Sequence, residues 1–281
     1  MISTQLSKQD AKTLLAKHHL KQLSIREVFE KFRSIQFDPL NPAGRNHDLV
    51  LQARVAGYQV DDWQKLAYQD RFIYDFWDKQ ASLVLMQDWP RRRIFHKWHA
   101  KRWYEQVLKP HKKTVPIVLQ ELKDRGPLSS TDFEHQPHVK KWEGSWYGPK
   151  LTKNILRALW HTGEVVTHSR RKGHHVYDLA ENVISAEFFR AKPLPDKLSL
   201  EFLMMSRHQA VGLLSPRASS EVWSLHISAA ERKDIIEVLI KQGELIACDV
   251  EGQLFHATPD ALQLLSDQTI EEKMTFIAPL D

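Results

Sequence analysis

The chain has 281 residues, 42% of them hydrophobic and 27% charged, enough for two or three cored units with a charged surface. No run approaches the roughly 18 apolar residues of a membrane span, and the N-terminus Met1-Ile2-Ser3-Thr4-Gln5 opens no signal-type apolar core. A single cysteine, Cys248, excludes an internal disulfide and a multi-cysteine zinc site, so a soluble cytoplasmic protein is expected.

Ser7 reads as the cap of a first helix carrying Leu14 and Leu15. Ser24 reads as a plain cap, without the reciprocal partner of a capping box, before a second helix with Ile25, Val28, Phe29 and Phe32. That pattern stops at Ser34-Ile35-Gln36-Phe37-Asp38-Pro39-Leu40. In extended backbone Gln36 and Asp38 point to one side and Phe37 to the other. Pro39 holds Asp38 away from helical dihedrals. A carboxylate beside an amide, anchored by a buried aromatic, can hold one water and turn it toward an electrophile. The plainer alternative is a half-buried strand whose Asp-Pro step starts a turn.

Asn41-Pro42-Ala43-Gly44 is turn chemistry, and Asp48 to Ala56 reads helical. Arg45, His47 and Arg54 surround that helix, either as contacts to phosphate or as a hydrated helix end. Asp61-Asp62-Trp63 starts a short helix, and Phe72–Trp77 with Ala81–Met86 forms a hairpin. Three helices and then a hairpin is the winged-helix order.

Trp89-Pro90 opens a basic helix. From Trp89 to Lys113 there are nine Lys/Arg against one acid, Glu105, so the net charge of +5 is concentrated here. Arg91, Arg92 and Arg93 begin the run, and Arg93, Lys97 and Lys101 fall at i, i+4 and i+8 beside an apolar row of Ile94 and Trp98. So local a positive charge points to a polyanion, although a solvated helix face has the same pattern. His96 and His99 lack an acidic or cysteine partner at ligand spacing, so no metal is expected.

Val115 to Leu122 reads helical, Gly126 to Phe133 as a turn with a short capped helix, and Gly144 to Lys150 as a break. Leu151 to Trp160 then forms a helix. Val165-Val166 and Val176 to Leu179 follow as a hairpin, tipped by Arg170, Arg171, Lys172 and Gly173 and extended by His174. This is a second winged helix whose cationic tip suits a DNA groove. Trp142, Trp146 and Tyr147 offer base stacking, but packing against a tight turn is the better reading. A third unit repeats the order of helix, Gly-Glu, strand and turn glycine: Gly163-Glu164 and Gly173 correspond to Gly243-Glu244 and Gly252, with spacings that differ by one residue. Its tip carries Asp249 and Glu251 instead of cations, which makes it scaffold.

Gln36-Phe37-Asp38-Pro39-Leu40-Asn41, followed by Gly44-Arg45-Asn46-His47-Asp48-Leu49-Val50-Leu51 and Arg54, resembles the signature of the AlkZ/YcaQ-type winged-helix DNA glycosylases, in the Gln-x-Asp version of the YcaQ branch. Tyr74 to Ser82 is also similar to that family. The resemblance implies a mainly α protein with small β-hairpins (α+β) and tandem winged-helix domains. Their expected ranges are 1–109, with the catalytic motif and basic helix, 110–194, with the basic wing, and 195–281, as scaffold. The family's C-terminal β-barrel is expected to be absent from this chain.

The implied activity is monofunctional hydrolysis of the N-glycosidic bond of alkylated, cationic purines in duplex DNA, with interstrand crosslinks as a further substrate class. Gln36 and Asp38 are the implied catalytic pair. Arg45, His47, Arg54, Arg91, Arg92, Arg93, Lys97, Lys101, Arg170, Arg171, Lys172 and His174 are the implied DNA contacts. No cofactor and no metal is expected; the expected partner is double-stranded DNA with alkylated bases, with no membrane association, and the protein is expected to act as a monomer. The alternative is a non-catalytic winged-helix transcriptional regulator. A histidine-based metal nuclease comes third and lacks paired carboxylates.

Overall fold

Three helices open on one device. Ser7, Ser24 and Ser228 each accept the N–H of the residue three positions on, and the carboxylates of Asp10, Glu27 and Glu231 return to the serine N–H. Ser24 is therefore half of a true capping box, because Glu27 stands at the third helical position and takes the Ser24 N–H at 2.7 Å.

The computed structural model describes residues 4–134, 151–267 and 275–278; Trp142, Trp146 and Tyr147 lie outside the described residues, as do Gly144 to Lys150 and Pro279 to Asp281. The chain begins with β1 (Thr4–Leu6), α1 (Lys8–Leu20), α2 (Ile25–Phe32), β2 (Ser34–Gln36), α3 (Asn46–Gln52), α4 (Trp63–Tyr68), β3 (Ile73–Trp77) and β4 (Ala81–Leu85). It continues with α5 (Trp89–Trp103), α6 (Val115–Arg125), β5 (Leu128–Ser129), α7 (Leu151–Thr162), β6 (Val165–Arg171), β7 (His174–Leu179), α8 (Ala180–Val183) and α9 (Ala186–Arg190). The last part holds α10 (Asp196–Val211), β8 (Leu213–Leu214), α11 (Ser220–Trp223), α12 (Ala229–Lys241), β9 (Ile246–Val250), β10 (Gln253–Ala257) and α13 (Pro259–Gln263). The protein is mainly helical with small sheets, as the sequence predicts. After Gly126 the expected short capped helix is instead the short strand β5 followed by a turn.

The described chain groups into two interleaved units, Met1–Trp63 with Asp78–Ser82 and Pro195–Asp281, and Gln64–Trp77 with Leu83–Leu194. The sequence reading set three consecutive segments; two interactions draw the first unit together differently. β1 pairs in parallel with β9, Thr4 opposite Cys248 and Leu6 opposite Val250, and brings α1 with it. Leu6 and Leu14 then share one core with Leu213, Cys248, Val250, Ala257 and Ala261. Asp78 is buried and bridged in two-pronged fashion by Arg207 of α10, which holds the segment 78–82 in the same unit. A second core of this unit gathers Met204, Leu214, Trp223, Ile235, Ile236, Leu239 and Leu245.

In the second unit β5, β7 and β6 form an antiparallel sheet in that order. Its core is aromatic: Phe76 lies 5.6 Å from Trp160 and 4.6 Å from His96 between ring centroids. Gly163 follows α7 with φ +86°, and a Cβ there would stand 2.3 Å from His96 Nδ1, so the close approach admits only glycine.

The repeat seen in the sequence has a backbone counterpart. β5 lies along β7 (Leu128 opposite Tyr177), and β8 lies along β10 (Leu214 opposite His256). Both hairpins close on two residues of positive φ, Lys172-Gly173 and Glu251-Gly252, the conformation that matches strand twist. The one-residue difference in glycine spacing is a β-bulge: His168 is extra between the paired positions Thr167 and Ser169, while β9 runs without interruption.

Candidate active site and nucleic-acid contacts

β2 delivers the alternation expected of the Gln-Phe-Asp stretch. Ile35 and Phe37 are buried, whereas Gln36 and Asp38 are half-buried. Two hydrogen bonds fix the backbone between them. Asn46 Nδ2 donates to the Gln36 carbonyl at 2.9 Å, and the Phe37 N–H donates to the Ala81 carbonyl at 2.8 Å. Asp38 Oδ1 accepts the Leu40 N–H at 2.9 Å, an Asx turn that sets the carboxylate at the step into Pro39.

Phe37 is clamped by aromatic rings. The His47 imidazole stacks on it at 4.3 Å, and Trp63 meets it edge-on at 5.7 Å. Behind them Asp48 is buried and accepts the Tyr58 hydroxyl at 2.6 Å, the Asp61 N–H at 3.1 Å and Arg45 Nε at 2.6 Å. Burial, reinforced by the bond to Asp48, pushes the Tyr58 phenol above its ordinary range. Arg45 also reaches Asp61 at 2.7 Å, so its charge is shared between two carboxylates. A half-open carboxylate and amide on a rigid support is an arrangement that can position a water molecule.

Several residues expected to touch DNA are interior. His47 is wholly buried and serves Phe37. Arg54 is 1% exposed, donates to the Val50 carbonyl at 3.1 Å and lies 4.7 Å over the Phe32 ring, so it supports the core under α2. On α5, Arg92 is wholly buried, because the helical period puts it on the face of Phe95 and His96. Arg170 ion-pairs with buried Asp75 at 2.6 Å, and Asp75 also accepts the Tyr68 hydroxyl at 2.9 Å. His47, Arg54 and Arg92 are corrected from surface contacts to internal supports, because a side chain kept from water cannot meet a phosphate without breaking its present packing, while Arg170 is half-buried with its charge taken up by Asp75.

The rest lie at the surface or half-buried. Arg91 and Arg93 are half-buried, and Lys97 and Lys101 are exposed along the predicted i, i+4 row. Arg93 lines a cavity of about 630 Å³ with Trp89, His96, Lys123 and Glu164. At the hairpin tip Lys172 and His174 are exposed, and Arg171, also exposed, pairs with Asp132 at 3.1 Å. His175 is held by Thr167 Oγ1 at 2.7 Å, and burial lowers its pKa to about 4.

Sequence reading missed Asn46 and Asp75 as supports, and it missed Lys153 and Arg157, exposed on α7 at i, i+4. The signal for the last pair was available, since Leu151 to Thr162 contains no acid. Among the described residues no group of three His, Cys, Asp or Glu side chains could hold a metal ion, and no helix is long and apolar enough to cross a membrane.

Residues 29–281 match the family model described as DNA glycosylase AlkZ-like. The fold is similar to that of Streptomyces sahachiroi DNA glycosylase AlkZ, with a TM-score of 0.64 at 13% identity, over 94% of this chain and 72% of that one.

Proposed function

From the premise that this chain belongs to the family of AlkZ-like DNA glycosylases, we propose that it hydrolyses the N-glycosidic bond of purines alkylated at N7 or N3 in duplex DNA. Interstrand crosslinks through the same nitrogens are a further substrate class. The enzyme works as a cytoplasmic monomer in base excision repair, without metal or cofactor. Its three groups of helices and hairpin are read as tandem winged helices, the second of which meets DNA through its cationic tip.

A purine alkylated at N7 is cationic while attached and neutral once released, so departure needs no strong general acid. The sugar gains oxocarbenium character as the bond breaks. Asp38 then stabilises that cation and takes a proton from the attacking water, while the Gln36 amide fixes the water. Arg45, Arg91, Arg93, Lys97, Lys101, Arg171, Lys172 and His174 are the cations retained as DNA contacts. Arg54, Arg92 and Arg170, with His47, support the fold that presents them.

The observation that carries this reading is the pinned strand exit: Phe37 is buried and hydrogen-bonded, and the two polar neighbours are left half-open on the other side. The test is incubation with duplex DNA carrying 7-methylguanine, then alkali to cut at abasic sites. Wild type should release the base, and Asp38→Asn should bind the DNA and release none. Equal release by both would remove Asp38 from the chemistry, and release by neither would leave a DNA-binding regulator.

A further inference from the structure

On the second unit Trp103 closes α5 and stacks on His161 of α7, centroids 4.6 Å apart and planes 14° apart. Two guanidinium groups lie over the same indole, Arg157 at 5.5 Å and Arg102 at 5.9 Å from its centroid. Both arginines are exposed, and among the described residues neither forms an ion pair. The neighbouring acid, Glu105, is taken by Lys109 at 2.8 Å. Arg102 makes one side-chain hydrogen bond, a long one of 3.4 Å to neutral Gln106. Lys153 is one turn before Arg157 on the same exposed row of α7, and Lys101 is the exposed neighbour of Arg102.

An exposed arginine ordinarily wanders and is discharged by a nearby carboxylate. Here the flat indole restrains two of them by cation–π contact and leaves their charge uncompensated. The chain also passes into a π turn, Tyr104–Leu108, directly after Trp103, a departure from α geometry found often at functional sites. Restrained, planar guanidiniums with no acidic partner among the described residues, flanked by further cations, fit a phosphodiester, whose paired oxygens match the guanidinium fork.

We propose that Arg102 and Arg157, aimed by Trp103, form a clamp for DNA backbone phosphates, separate from the hairpin tip of β6 and β7. The proposal deepens the reading of the chain as a DNA-acting enzyme and rests on it for the identity of the polyanion. The clamp carries no base information and sets register and affinity.

The experiment measures affinity for a random-sequence DNA duplex from 50 to 200 mM salt, alongside release of 7-methylguanine. Each phosphate contact contributes about 0.9 to the log–log salt slope. Arg102→Ala/Arg157→Ala should flatten that slope by about two and weaken binding roughly tenfold or more at 0.1 M salt. Arg102→Lys/Arg157→Lys should keep the slope and lose affinity severalfold, because lysine lacks the fork that the indole aligns. Lys233→Ala, at an exposed position of α12, should change neither. An unchanged slope in the alanine double variant overturns the clamp, and wild-type affinity in the lysine double variant overturns its aiming by Trp103. If wild type binds but releases no methylated base while the alanine variant loses slope, the clamp stands and the glycosylase reading falls. If release occurs and the slope is unmoved, the clamp alone falls.

Discussion

The imidazole of His47 lies flat on the ring of Phe37, 16° from parallel, with Trp63 edge-on to both at 5.2 and 5.7 Å. A histidine next to a signature aspartate thus acts as packing for the residue between Gln36 and Asp38. His47→Ala would remove the stacked face and leave a void under the strand exit. The expected result is a loss of about 2 kcal/mol in stability, and a fall in single-turnover base release of roughly tenfold or more from misplacement. DNA affinity should stay within about twofold, since the side chain is interior. A binding titration beside a denaturant melt checks the separation.

Asn46 acts on the same strand through one bond, to the Gln36 carbonyl. Asn46→Ala should cost about 1 kcal/mol of stability and lower the rate of release about tenfold with unchanged KM. In a Gln36→Ala background the rate effect should shrink, because the group being positioned is gone. Full additivity of the two changes would place Asn46 outside the catalytic arrangement.

Arg170 and Asp75 divide the hairpin tip into support and surface. Removing one partner of a buried ion pair leaves the other charge stranded, at a cost of about 3–5 kcal/mol. Arg170→Ala should therefore unfold at markedly lower denaturant, and Asp75→Leu/Arg170→Met should recover most of the loss. Arg171→Ala and Lys172→Ala should melt like wild type and bind DNA more weakly. Melting curves of the four variants decide the matter.

Buried histidines set the acid limit of the fold. Burial is the first cause of the low pKa of His96, at about 3, and of His175 and His208, at about 4. All three lie below the ordinary histidine value, so the unfolded chain binds more protons than the folded one. Their stabilising contribution is whole above about pH 6.5 and is lost as pH falls toward 4 and then 3. Lowering pH from 6.5 to 5 should remove about 2 kcal/mol for each of the three. Urea midpoints across that range should fall, and a flat profile would contradict neutral burial of these rings.

Much of the fold was legible because local chemistry agrees with it. The hairpin of β3 and β4, the helices α5 and α7, and the paired glycines around β6 and β9 all stand where periodicity and turn residues place them. The burial alternation of Ile35, Gln36, Phe37 and Asp38 was equally readable. What failed were questions of which polar groups go inside. Arg54, Arg92 and Arg170 carry the same charge as their exposed neighbours; Arg54 and Arg92 go inside with apolar neighbours close in sequence, and Arg170 turns to Asp75, a partner far off in sequence. The pairing of β1 with β9 was hidden for the same reason, since three residues at one end of the chain give no local sign of a partner almost the whole sequence away.

The two tips, Lys172-Gly173 and Glu251-Gly252, share one backbone and differ in sign. A frame indifferent to polarity can be repurposed by exchange of side chains alone, with no new folding problem to solve. A reversal of polarity then needs only a few codon changes at an existing corner. Transplanting Asp and Glu onto one tip, or Arg and Lys onto the other, becomes a route to retarget the molecule while its architecture stands still.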